Sequence, residues 1–115
     1  MFLGLRTAVY YVNDIDKAKT WYSSVLGIAP YFDEPFYVGF DIGGFELGLD
    51  PDFTGVEAGS QSVAYWTVVD IKSTLQKIEE LGAKVTQPLR EVGGGIWVAV
   101  LEDPFGNSFG LIEET

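Results

Sequence analysis

The sequence contains no histidine and no cysteine. The absence of cysteine excludes disulfides, thiolate metal sites and thiol nucleophiles. The absence of histidine removes the commonest metal ligand and the usual general base at neutral pH. Much of the catalytic chemistry that proteins use is therefore unavailable to this chain.

Basic residues and long apolar runs are also scarce. The chain has 7 Lys and Arg against 17 Asp and Glu, a formal net charge of −10. Binding of nucleic acid or of anionic lipid takes clustered positive charge, so neither partner is expected. No apolar run approaches the roughly 20 residues that cross a bilayer, and residues 1–4 do not resemble a signal peptide. We expect a soluble cytoplasmic protein whose charge allows a neutral or cationic partner.

The first half of the chain predicts a strand, a helix and further strands. The β-branched and aromatic stretch from Leu5 to Val12 predicts a strand. Asn13 and Asp14 supply a helix N-cap, apolar residues recur at helical spacing after it, and Gly27 ends the helix. Extended segments follow at residues 30–32, 36–40 and 45–49.

The second half repeats this order. A strand is predicted from Val63 to Val68, followed by the cap Asp70 and a helix that stops at Gly82. The glycines at 93–95 permit either a mobile flap or a plain turn. Extended segments are predicted at residues 85–87, 96–101 and 108–112.

The repeat predicts one α+β domain over residues 1–115, built from two tandem βαβββ units at about 1–50 and 62–115 with a linker at 51–61. Each helix should cover one face of its sheet, so that the units form a curved mixed sheet, a cup with the helices on its convex face. Alternation along the strands turns Trp66 and Leu47 toward the helices. It turns toward the cup Thr7, Val9, Tyr11, Glu46, Gly48, Tyr65 and Thr67.

Two motifs connect this pattern to a known family. The stretch from Asp14 to Gly27 combines an acidic cap, the pair Trp21-Tyr22 and a final Leu-Gly, and the turn at residues 103–107 reads Asp-Pro-Phe-Gly-Asn. In this order the chain resembles the vicinal oxygen chelate superfamily of glyoxalase I, extradiol dioxygenases and bleomycin-resistance proteins. The resemblance implies the paired βαβββ fold over nearly the whole chain. It implies no single activity, because the scaffold carries isomerases, oxygenases, transferases and binding proteins.

The resemblance also implies places for a metal. In the metal enzymes of this superfamily four ligands come from equivalent strands of the two units, and the matched motifs put those places at Thr7, Glu46, Val63 and Gly110. Only Glu46 keeps a ligand side chain, and borderline metals prefer imidazole or thiolate. We therefore expect no metal and no other cofactor.

The leading prediction is a metal-free protein that binds a small aromatic or cationic molecule in the cup, as the resemblance to bleomycin-resistance proteins implies. Aromatic rings offer such a ligand area and a negative face, and Glu46 offers a charge. The predicted ligand-binding residues are Thr7, Val9, Tyr11, Tyr37, Glu46, Val63, Tyr65, Thr67, Trp97 and Gly110.

Two other functions stay open. One is a lyase, isomerase or other enzyme of the superfamily that uses Glu46 as base or a tyrosine as acid, with or without a weakly bound metal. No second carboxylate is apparent in register with Glu46. The other is a structural or assembly domain. The exposed edges of two four-stranded sheets favour a homodimer, with cups formed within one chain or exchanged between two.

Overall fold

The computed structural model describes residues 1, 3–53 and 63–114. The chain divides into two compact units, Met1–Val56 and Glu57–Thr115. Each unit holds one helix and one four-stranded mixed sheet, which confirms the α+β class and the two tandem βαβββ units. The division falls within the predicted linker, of which residues 54–61 lie outside the described part of the chain.

The first unit consists of β1 (Thr7–Tyr11), α1 (Ile15–Leu26), β2 (Phe32–Glu34), β3 (Tyr37–Ile42) and β4 (Phe45–Asp50). Its strand order is β1-β4-β3-β2. β1 runs parallel to β4, and the other neighbours are antiparallel. The parallel pair brings the beginning of the unit beside its last strand.

Local signals set both ends of α1. The side chain of Asp14 accepts a hydrogen bond from the backbone N–H of Lys17, as expected of an N-cap. At the other end Gly27 has a φ of 70°, and its N–H donates to the carbonyl of Ser23. The helix therefore begins and ends where the sequence predicts.

The core of the first unit lies between α1 and one face of the sheet. Register pairs Phe40 with Leu47 and Val38 with Leu49, and all four side chains are buried. Because successive side chains of a strand point to opposite faces, the residues between them lie on the other face. We call this second face, which includes Thr7, Glu46 and Gly48, the site face.

The second unit consists of β5 (Tyr65–Thr67), α2 (Ile71–Glu80), β6 (Lys84–Gly93), β7 (Ile96–Glu102) and β8 (Ser108–Glu113). Its strand order is β5-β8-β7-β6, with β5 parallel to β8. Asp70 caps α2 by accepting from the N–H of Ser73. Within the described residues, neither helix is long and apolar enough to cross a membrane.

The glycines at 93–95 form a turn. Gly93 ends β6, and Gly94 and Gly95 connect it to β7, all three with positive φ of 114°, 63° and 77°. The N–H of Gly95 donates to the side chain of Glu91 at 3.2 Å. Of the two predicted alternatives, the structure has the plain turn, and glycine is required there because other residues rarely adopt this backbone conformation.

The second sequence motif has a structural explanation. Asp103 is 3% exposed, and its Oδ1 accepts from the backbone N–H of Phe105 and of Asn107. Its Oδ2 accepts from the side-chain amide of Asn107. The motif therefore closes the turn between β7 and β8, and its buried carboxylate is satisfied within that turn.

Candidate functional site

Glu46 lies at the centre of a group of hydroxyls on the site face. Thr7 lies directly opposite it across the parallel strand pair and donates from Oγ1 to Oε1 at 3.0 Å. The hydroxyl of Tyr37 donates to the same oxygen at 2.8 Å, and the hydroxyl of Tyr31 donates to Oε2. Glu46 is only 9% exposed. Three hydroxyl donors thus replace the water that this carboxylate loses. We use the name Glu46 cluster for the group formed by Glu46, its three donors Thr7, Tyr31 and Tyr37, and the neighbouring Arg6.

Arg6 adds a positive charge at the edge of the cluster. Its Nη1 donates to Oγ1 of Thr7 at 2.9 Å and lies 3.6 Å from Oε1 of Glu46. A chain of hydrogen bonds therefore runs from Arg6 through Thr7 to Glu46. The Arg6 side chain is 78% exposed, so water and salt screen its charge and the pair stabilises the fold by at most about 1 kcal/mol.

The cluster keeps Glu46 ionised. Burial by itself raises the pKa of a carboxyl group, but the hydrogen bonds from Tyr31, Tyr37 and Thr7 and the charge of Arg6 outweigh burial here. The pKa of Glu46 therefore lies below its ordinary value. At neutral pH this side chain is a fixed negative charge.

The same contacts keep the two phenols protonated. The hydrogen bond to Glu46 is the main cause that raises the pKa of Tyr31, followed by burial. The pKa of Tyr37 also rises well above its ordinary value. Burial is the main cause of this rise, and the hydrogen bond to Glu46 is the second. Both tyrosines are thus hydrogen-bond donors throughout the physiological range.

Two glycines make room for these tyrosines. A Cβ atom on Gly48 would overlap the hydroxyl of Tyr37 and lie 2.6 Å from its Cζ. A Cβ atom on Gly39 would lie 2.7 Å from Oε2 of Glu46 and 3.1 Å from the ring of Tyr31. The two glycines are paired across β3 and β4. Tyr31 and Gly39 were not among the predicted site residues, although a glycine within a strand is a signal of close approach.

An open cavity of about 140 Å³ adjoins the cluster. Pockets that enclose a drug-sized ligand measure roughly 300–1,000 Å³, so this cavity accommodates one small chemical group. It is lined by Arg6, Tyr31, Asp41, Gly44, Phe45 and Glu46.

A second carboxylate does lie in register with Glu46, contrary to the sequence analysis. Asp41 on β3 pairs directly with Glu46 on β4, and its Oδ1 accepts from the N–H of Gly44 at 2.9 Å. The extended segments predicted at residues 36–40 and 45–49 leave Asp41 in a four-residue connection between them. In the structure the strands continue to Ile42 and Phe45, which leaves only two glycines for the turn.

The structure brings together three of the predicted ligand-binding residues of the first unit, namely Thr7, Tyr37 and Glu46. Val9 and Tyr11 lie further along β1 on the same face, opposite Gly48 and Asp50 of β4. They extend the site face beyond the cluster.

Three predicted ligand-binding residues of the second unit share one face of its sheet, namely Tyr65, Thr67 and Gly110. Tyr65 pairs with Gly110, and Thr67 lies two residues further along β5. A Cβ atom on Gly110 would overlap the ring of Tyr65. Val63, which is 37% exposed, precedes this strand by two residues.

Trp97, which is predicted to bind the ligand together with Tyr65 and Gly110, lies on the opposite face of that sheet. It pairs with Glu113 of β8. Glu113 is an odd number of residues from Gly110 along β8, so their side chains point to opposite faces of the sheet. Glu113 accepts a hydrogen bond from the N–H of Ile71, so this face is turned toward α2. The error arises because a shift of one residue in strand register moves every side chain to the other face.

The registers also correct how the two units correspond. In each unit the residue two before the helix N-cap donates its N–H to the last strand, and the acceptors are Asp50 and Ile112. Asp50 and Ile112 are therefore equivalent positions of the two last strands. Gly48 lies two residues before Asp50, and Gly110 lies two residues before Ile112, so these glycines are equivalent as well. Glu46 is therefore not the counterpart of Gly110, although the resemblance gave both as ligand places.

The residues present do not fit the metal that the resemblance implies. Within residues 1, 3–53 and 63–114, no group of three or more His, Cys, Asp or Glu could hold a metal ion. Val63 and Gly110 offer no side-chain donor, and the hydroxyl of Thr7 already donates to Glu46. The remaining carboxylate accepts three hydrogen bonds and faces Arg6. A divalent ion needs more oxygen or nitrogen ligands than these places supply.

Comparison with known proteins agrees with this fold. The family model of the Glyoxalase/Bleomycin resistance protein/Dioxygenase superfamily matches residues 4–111, and the chain belongs to that superfamily. No curated protein matches the chain.

Solved structures with the same fold cover nearly the whole chain. A glyoxalase/bleomycin resistance protein/dioxygenase family enzyme from Burkholderia phytofirmans PsJN is 18% identical, with a TM-score of 0.83 over 98% of this chain and 100% of that chain. A lactoylglutathione lyase from Agrobacterium tumefaciens is 20% identical, with a TM-score of 0.72 over 96% and 92%. A genomically encoded fosfomycin resistance protein from Listeria monocytogenes is 17% identical, with a TM-score of 0.78 over 100% and 96%. At these identities the likeness shows the fold alone.

Proposed function

We propose that this chain is a metal-free small-molecule-binding protein of its superfamily, which takes a small aromatic or cationic ligand at the Glu46 cluster. The observation that carries the proposal is the state of Glu46, a nearly buried carboxylate that three hydroxyl groups hold ionised. A fixed charge beside phenols and an open cavity is suited to recognising a ligand group of opposite charge or an aromatic ring.

The alternative is an enzyme that uses Glu46 as base or a tyrosine as acid. A general acid or base works best when its pKa lies near the operating pH. Here the contacts lower the pKa of Glu46 and raise the pKa of Tyr31 and Tyr37, so all three move away from neutrality. No histidine or cysteine is available in their place. The cluster therefore supports binding better than proton transfer.

A ligand screen tests the proposal. We expect a thermal-shift screen of small aromatic and cationic compounds to find ligands that raise the Tm of the wild-type protein, because a ligand of the native state stabilises it by mass action. Replacing the charge at the centre of the cluster, Glu46→Gln, should weaken the binding of such a ligand at least about tenfold in calorimetry, a loss of roughly 1.4 kcal/mol.

The matched control is Glu79→Gln, the same change on the exposed surface of α2. It should leave the affinity unaltered. Equal affinity of wild type and Glu46→Gln for every ligand found would contradict the proposal. Turnover of a bound compound that disappears in Glu46→Gln would favour the enzyme alternative.

We further propose that the chain forms a homodimer. The described sheets end in the edge strands β1 and β2 in the first unit and β5 and β6 in the second. All three residues of β2 are exposed. Edge strands present unpaired backbone groups that invite pairing, and two-fold dimers are the commonest oligomers of soluble proteins. Light scattering over a wide concentration range should give twice the chain mass, and the mass of a single chain at the highest concentration would refute the dimer.

A further inference from the structure

Negatively charged side chains outnumber positively charged ones around the cavity. Two carboxylates, Asp41 and Glu46, and one guanidinium, Arg6, line it. Arg6 lies beside Oε1 of Glu46, where Thr7 and Tyr37 also donate. Among the described contacts, Oε2 of Glu46 accepts only from Tyr31, so this oxygen can accept one more hydrogen bond.

Asp41 and Glu46 are placed to reach the same ligand group. They are direct cross-strand partners, and the Cβ atoms of such partners lie about 4.5–5.5 Å apart. Both side chains border the cavity, and the N–H of Gly44 orients the Asp41 carboxylate from the turn. A group with several donors could therefore bond to both carboxylates at once.

An aromatic ring borders the same cavity. Tyr31 lines it, is 58% exposed and bonds to Glu46 through its hydroxyl, so its ring presents surface to a ligand on the site face. The face of an aromatic ring attracts a cation, and the ring also offers a flat apolar surface.

From the two carboxylates and the aromatic surface at this cavity, we propose that the ligand of the Glu46 cluster is an organic ammonium ion with a flat apolar part, of the arylalkylamine class. Its ammonium group donates to Asp41 and to Oε2 of Glu46, and its ring packs on Tyr31. An ammonium has three donors and is satisfied by two carboxylates and water, whereas a metal ion would need further ligands. An anionic ligand would meet a local excess of negative charge and a chain of net charge −10. This inference rests on the proposed function.

Three probes with one ring and different charge test the inference. Benzylamine, benzyl alcohol and benzoate are cationic, neutral and anionic at neutral pH, and their binding to the full chain can be measured by calorimetry at low ionic strength. We expect benzylamine to bind at least tenfold more tightly than benzyl alcohol, and benzoate to give no binding. Benzyl alcohol or benzoate binding as tightly as benzylamine would overturn the ammonium inference, and so would the absence of benzylamine binding at millimolar concentration.

Variants then separate this inference from the proposed function. Asp41→Asn should weaken benzylamine several-fold and leave benzyl alcohol unaffected, whereas the exposed control Asp16→Asn on α1 should change neither. If Asp41→Asn has no effect on benzylamine, the ammonium inference fails. If ligands from the screen still depend on Glu46 in that case, the proposed function stands without it.

Discussion

Replacing Gly48 by alanine is expected to destabilise the first unit by about 1–3 kcal/mol, the usual cost of adding a methyl group to a closely packed position. The new Cβ would overlap the hydroxyl of Tyr37 and lie 2.6 Å from its Cζ. Because β4 is an interior strand between β1 and β3, the backbone has little freedom to move away. The ring of Tyr37 must move instead, and Oε1 of Glu46 then loses a donor.

A double-mutant cycle gives this prediction its control. Urea denaturation of Gly48→Ala, Tyr37→Leu and the double variant should show that the two changes are not additive, with a coupling of roughly 0.5–3 kcal/mol. The double variant should lose less stability than the sum of the single variants, because removing the ring removes the clash. An additive result, or Gly48→Ala as stable as wild type, would show that Tyr37 does not lie over Gly48.

Replacing Phe40 by alanine is expected to cost about 3–5 kcal/mol, the range for truncating a fully buried aromatic side chain. Phe40 is 0% exposed and pairs with Leu47 in the layer beneath α1. The matched control is Phe45→Ala in the same hairpin, since Phe45 is 54% exposed and borders the cavity.

Phe45→Ala should change stability by no more than about 0.5 kcal/mol, as expected for an exposed position. Urea denaturation of both variants measures the contrast. Similar losses of stability in the two variants would contradict the placement of Phe40 in the core and of Phe45 at the exposed end of the hairpin.

The features of the fold that the sequence predicts well depend on neighbouring residues. Asp14 and Asp70 cap their helices by bonding to the backbone three residues later, so a short motif is sufficient to identify them. Gly27 ends α1 for an equally local reason. Alternation within β4 also separates Leu47 from Glu46 correctly, because one face is apolar and the other is not.

The site is less predictable because contacts between distant residues form it. Tyr31 precedes β2, and it reaches Glu46 only because Gly39 leaves space beneath its ring. Asp41 faces Glu46 because the turn is two residues long rather than four. Trp97 depends on the pairing of β7 with β8, which composition alone does not determine.

The ionisation of the cluster should appear in the pH dependence of stability. The pKa of Glu46 is lowered on folding, so its contribution to stability is present above the ordinary value of 4.5 and is lost as the pH falls through the folded value. The pKa values of Tyr31 and Tyr37 are raised, so their contribution is present below the unfolded pKa of about 10 and is lost as the pH rises through the folded values. Stability should therefore fall at both ends of the pH range.

The ionised state of Glu46 can be measured directly by following the ¹³C chemical shift of its carboxyl group with pH, with the signal assigned by its absence in Glu46→Gln. We predict a midpoint below the ordinary value of 4.5, and a rise toward or above that value when Tyr31→Phe and Tyr37→Phe are combined, because the double variant removes two hydrogen bonds to the ionised form. A wild-type midpoint above the ordinary value, near neutrality, would contradict the account, because Glu46 would then be a proton acceptor rather than a fixed charge.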